Sequence, residues 1–124
     1  MKQETLSLPI KINSRNVLDR QHWAQKRRTQ KEYALLIRNQ MRLGRVSLAK
    51  QEKFDLIIHS FRKKLLDFDN LVGGCKHLID ALIDERFIFD DSPKYLTLTV
   101  EQFVGGKEYS TAIYRRREGK DKRI

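Results

Sequence analysis

The chain has 124 residues and a formal net charge of +10, from 26 Lys/Arg against 16 Asp/Glu. That length fits one domain around one core, and a hydrophobic content of 40% is ordinary for a globular chain. The single cysteine, Cys75, excludes an internal disulfide and a zinc site built on thiolates. No apolar run approaches the ~20 residues of a membrane span, and no apolar region follows Met1–Thr5 as it would in a signal peptide. The expectation is a cytoplasmic protein with no membrane partner, whose clustered Lys/Arg suit a polyanion.

Leu6, Leu8, Ile10 and Ile12 alternate with Ser7, Pro9 and Lys11, a period of two that predicts a strand, with Pro9 placing it at an edge. Asn13–Asn16 reads as a loop. From about Asp19 to Leu43 the pattern is helical, with Trp23, Ala34, Leu36, Ile37, Met41 and Leu43 as apolar contacts and Gly44 as the C-terminal cap. The first half of this helix carries Lys26, Arg27, Arg28 and Lys31 and almost no apolar stripe, so it either projects into solvent or lies against phosphates. Phe54–Phe61 is apolar on both faces and predicts a central strand, followed by Arg62, Lys63 and Lys64.

A second helix is predicted over about 71–85, with Cys75, Leu78, Ile79, Leu82 and Ile83 on one face and Asp69 or Asn70 as cap. Gly73-Gly74 weakens its start. Tyr95–Val104 alternates and predicts a strand, Gly105-Gly106 a hairpin turn, and Tyr109–Tyr114 the return strand. The domain therefore spans residues 1–114, and 115–124 reads as a disordered basic tail. The order β-α-β-α-β-β is that of an α+β domain, a mixed sheet with helices packed on it.

The charge is not uniform. Residues 65–92 carry seven acids and two bases, in a chain that is otherwise strongly basic. Carboxylates repel phosphates, so an acidic island within a polyanion-binding chain makes sense if a cation lies between the two. Asp67 and Asp69 stand two apart, and in extended chain both face one side. Asp90 and Asp91 arrive from a second segment. Mg²⁺ prefers such oxygen donors and keeps several waters. Lys76 offers an ammonium to a phosphate oxygen, or to Asp80 four residues on. An EF-hand does not fit, because Val72 stands at its glycine position and Leu78 at its final glutamate position. No phosphate-binding glycine loop with its lysine is present, and His22, His59 and His77 lack metal-ligand spacing.

Taken singly these pieces are common; together they are specific. The set Asp67-x-Asp69-Asn70-Leu71-x-Gly73-Gly74-x-Lys76, then Asp80-Ala81-Leu82, then Asp90-Asp91-Ser92, resembles the RusA-like endonucleases, the Holliday junction resolvases of bacteria and their prophages. The resemblance covers residues 65–93. It implies a RusA-like α+β fold and Mg²⁺ (Mn²⁺ may substitute) held by Asp67, Asp69 and Asp91. Lys76 would be the essential lysine, Asp90 a support, and Asp80 structural or orienting Lys76. The spacing departs from the shortest members, in which the lysine follows the asparagine almost directly. The resemblance further implies a homodimer in a bacterial or prophage-encoded setting, acting on branched DNA and above all on four-way junctions. Lys26, Arg27, Arg28, Lys31, Arg62, Lys63 and Lys64 are then the expected DNA contacts. The alternative is a non-catalytic basic DNA-binding accessory protein of phage recombination or replication. A sugar- or nucleotidyl-transferase built on the Asp-x-Asp pair lacks a nucleotide-binding signature.

Overall fold

A computed structural model describes residues 3–105 and 108–117. The elements run β1 (Gln3–Leu8), α1 (Arg15–Arg20), α2 (Trp23–Leu43), β2 (Phe54–Arg62), α3 (Phe68–Gly74), α4 (Lys76–Asp84), β3 (Leu96–Val104) and β4 (Ser110–Arg117). They form a single small α+β domain with a four-stranded mixed sheet ordered β1-β4-β2-β3. β2 and β3 are parallel, whereas β4 is antiparallel to both β1 and β2.

β2 buries every second residue, Phe54, Leu56, Ile58, Ser60 and Arg62, and β4 buries Thr111, Ile113 and Arg115 opposite them. That face receives Ile37 and Met41 of α2 and the Leu78/Leu82 face of α4. The predicted apolar face of the second helix is the one observed, and β2 is central as expected.

Several expectations need correction. The predicted hairpin does not form: β3 and β4 exist, but β2 lies between them. Turn residues report a reversal of direction and not which strands pair. β2 is apolar on both faces and takes a neighbour on each side, β3 through nine register pairs and β4 through eight. Gly106 lies outside the described residues. The predicted loop at Asn13–Asn16 becomes helix from Arg15, because Ser14 accepts a hydrogen bond from the Val17 amide (3.2 Å) and caps α1. The long helix therefore breaks at Gln21-His22, and His22 caps α2 through the Ala24 amide (3.2 Å). The second helix likewise divides at Cys75, and the residue at the start of α3 is Asp67, whose side chain makes no capping bond.

The largest correction concerns the basic segments. β4 continues through Arg117, so Arg115–Arg117 belong to the sheet and not to a tail; 118–124 lie outside the described residues. Arg115 is the largest fully buried side chain. Its Nη1 donates to the Phe87 carbonyl (2.7 Å), Nη2 to the Ser47 carbonyl (2.6 Å) and Nε to Glu4 Oε1 (2.8 Å), and it lies over the Phe87 ring at 4.6 Å. Burial alone would raise the Glu4 carboxyl, but the hydrogen bonds and charges of Arg115 and Arg117 hold it below its ordinary value.

Gly73 and Gly74 do more than weaken a helix. A Cβ at Gly74 would overlap the Asn13 carbonyl oxygen, so only glycine lets α3 approach this backbone. At Gly73 the Cβ would meet the Arg15 side chain, at 2.7 Å from Cδ, and that chain is mostly exposed and able to move.

Gly74→Ala is therefore expected to destabilise the fold by at least about 1–3 kcal/mol. Gly73→Ala, with its gain of helix propensity, should stay within about 1 kcal/mol of the parent. Urea denaturation of both separates them. Arg115→Met should cost about 3–5 kcal/mol, because Glu4 and two carbonyls lose their buried donor; an unchanged urea midpoint would return Arg115 to the surface.

Candidate active site

The candidate residues come from α2, the α3–α4 pair and the bend after α4. A cleft of about 570 Å³ is lined by Lys26 of α2, by Lys76, His77 and Asp80 of α4, by Asp91, and by Arg15 and Asp19 of α1. Residues 65 positions apart in sequence, Lys26 and Asp91, thus share one hollow. Asp91 is held there by its loop. Phe87 and Ile88 are buried anchors, the Tyr95 and Leu96 amides donate to the Ser92 carbonyl (2.9 Å each), and Phe89 packs edge-on against Tyr95.

Lys76 is exposed, with its Nζ 3.6 Å from Asp80 Oδ2. An exposed i,i+4 pair is worth about 0.3–0.5 kcal/mol, too little to keep the ammonium from a phosphate. Both roles anticipated for Lys76 are therefore compatible.

Asp67 and Asp69 do not line this cleft. Asp69 is helical rather than extended, so the period-two argument for a shared direction with Asp67 does not hold. Among the described residues no three His, Cys, Asp or Glu side chains are grouped so as to hold a metal. The donor chemistry still fits Mg²⁺. Asp67, Asp69 and Asp91 are exposed carboxylates with no hydrogen bond or ion pair among the described residues. Their oxygens are free, and an ion there would keep water ligands, as Mg²⁺ prefers. By contrast Asp84 and Glu85, which look like solvated surface in the sequence, bind α2: Gln30 Nε2 donates to Asp84 (2.9 Å), and Arg38 grips Glu85 with two bonds (2.8 and 3.0 Å).

The expected DNA contacts divide. Arg27, Arg28 and Lys31 are exposed on the first half of α2, and Lys63 and Lys64 are exposed after β2. Arg62 is buried: Nη1 donates to the Ile12 carbonyl (2.6 Å) and Nε to the Lys64 carbonyl (3.1 Å). It is a structural residue and not a phosphate contact. Trp23 and Leu43, expected in the core, are exposed.

Two groups near the cleft have shifted acidity. Burial pushes the Cys75 thiol up to about 12, against the opposing charge of Arg62, so this cysteine is inert at neutral pH. Burial also lowers His77, with Lys26 and Lys76 adding to the effect and Asp80 opposing it. His77 Nδ1 is buried and has no partner among the described residues. The sequence signal for His77 was its place beside Lys76, but a lone histidine carries no spacing to interpret.

Comparison with known proteins finds neither a family model nor a curated protein that matches this chain.

His77 yields a test. Its pKa in the folded state is below the 6.5 of the free side chain. Below that pH the unfolded chain binds a proton that the folded chain resists, so stability should fall as pH drops through 6.5. The urea midpoint, followed from pH 7.5 to 5.5, should decline less steeply in His77→Asn than in the parent.

Proposed function

We propose that this chain is a Mg²⁺-dependent, structure-selective DNA endonuclease of the RusA-like type, resolving four-way junctions as a homodimer by paired symmetric nicks. The observation that supports this best is the cleft in which Lys76 and Asp91, distant in sequence and both part of the motif, meet Lys26. The unpartnered carboxylates of Asp67 and Asp69 support it further.

In this reading Lys76 and Lys26 bind the scissile phosphate's oxygens and offset charge that grows on them during cleavage. Asp67, Asp69 and Asp91 supply the carboxylate oxygens for Mg²⁺. When bound, Mg²⁺ contributes Lewis-acid stabilisation of the phosphate and leaving oxygen. Asp80 restrains Lys76 over the cleft. Arg27, Arg28, Lys31, Lys63 and Lys64 bind the backbone of the DNA arms without reading bases. A junction has approximate two-fold symmetry, and a two-fold dimer offers one site per nick.

Asp69→Asn should lower cleavage of a synthetic four-way junction on the order of 10²-fold or more. Binding in EDTA should hold or tighten, because a charge that repels phosphate is gone. Cleavage at the parent rate with Mg²⁺ would refute the assignment. The accessory-protein reading gains from the absence of a grouped ligand set among the described residues. Junction binding without Mg²⁺-dependent nicking by the parent chain would decide for it.

A further inference from the structure

Trp23 is the chain's only tryptophan, and it is 62% exposed. A single exposed hydrophobe is unremarkable on its own; its surroundings set this one apart. It lines a shallow hollow of about 360 Å³ with Ala24, Arg27, Arg28 and Lys31, three cations and no acid. The ring is restrained: His22, fixed as the cap of α2, lies 5.5 Å from it, and the Arg27 guanidinium lies 5.7 Å from its centroid. Lys26, one helical turn along α2, lines the Lys76–Asp91 cleft. Trp23 is thus one turn of α2 away from a residue that lines the cleft, in the basic first half of that helix.

We propose that Trp23 is a stacking platform for a DNA base whose face is not covered by a neighbouring base, with Arg27, Arg28 and Lys31 holding the adjoining phosphates. The proposal rests on the endonuclease reading and extends it to how structure is selected. An aromatic face beside a row of cations is the chemistry that binds single-stranded nucleic acid without sequence preference. In a continuous duplex each base face is covered by its neighbours. A branch point or a single strand exposes such faces internally, whereas a duplex exposes them only at its ends, so Trp23 would favour branched DNA over duplex without any base-edge readout.

Because Trp23 is the sole tryptophan, its fluorescence reports the contact directly. The full chain in EDTA is titrated with a four-way junction, with a single-stranded oligonucleotide and with a blunt duplex of equal phosphate content. Binding is followed independently by the anisotropy of labelled DNA. The junction and the single strand should quench Trp23, and the duplex should bind with little change in emission. Trp23→Ala should weaken junction binding about 10- to 100-fold, leave duplex binding within about twofold, and be largely rescued by Trp23→Phe. Junction binding with unchanged emission would overturn the stacking role while leaving the endonuclease reading intact. So would an equal loss for junction and duplex in Trp23→Ala, or equal quenching by polyglutamate. Failure of all three DNAs to bind would overturn both.

Discussion

A buried positive charge on a central strand constrains much of this fold. The Arg115 guanidinium has no access to water, so its donors must be met inside the protein. They are met by β1 through Glu4, by the segment after α2 through Ser47, and by the bend after α4 through Phe87. The latter two segments also bond to each other, the Ala49 amide donating to the Arg86 carbonyl (2.6 Å). The position of the bend that carries Asp90 and Asp91 thus depends on a strand that follows it in the chain. A change in β4 would be felt in the cleft although no β4 residue lines it.

The other end of the sheet is fixed by a similar device. Arg62 reaches back to the Ile12 carbonyl and to Ser60 (3.2 Å), and beside it Gly74 lets α3 close on Asn13. Burial lowers the pKa of Arg62, yet a group as basic as a guanidinium stays charged at neutral pH. Two arginines that count toward the formal charge are consequently not available at the surface as phosphate contacts. Among the expected DNA contacts, those presented at the surface are on α2 and at Lys63 and Lys64, and Arg62 is not one of them.

This explains which parts of the molecule were legible. Periods of two and 3.6 report which side of an element is apolar, and they located β2, β3, the core half of α2 and the α4 face; the strand expected over Leu6–Ile12 is met only in part, because β1 runs Gln3–Leu8 and ends before Pro9. A charge count cannot report burial. Arg62 and Arg115 look in the sequence like the exposed Lys63 and the half-exposed Arg116 beside them, although the alternation Thr111, Ile113, Arg115 continues the inward face of β4. Strand order was hidden for a different reason: β4 satisfies β1 and β2 at once, a long-range outcome that no local turn encodes. The Gly73-Gly74 pair was visible, but its cause, a carbonyl about 60 residues earlier in the chain, was not. At the site, Lys76, Asp80 and Asp91 were legible as a set, whereas the helical start at Phe68 redirected Asp69.

The charges around the cleft separate binding from chemistry. Arg15, Lys26 and Lys76 on its walls are balanced by Asp19, Asp80 and Asp91, so the cleft offers a phosphate little net attraction of its own. The hollow beside Trp23 has cations alone. In the proposed reading, DNA is therefore drawn first to α2, whose Lys26 also lines the cleft. In the same reading, a divalent ion held at Asp91, the carboxylate on the cleft wall that is unpartnered among the described residues, would add positive charge to the balanced cleft and favour a phosphate there. In the proposed reading, the acids that repel DNA without metal make phosphate entry conditional on it, and binding without Mg²⁺ falls to the surface of α2.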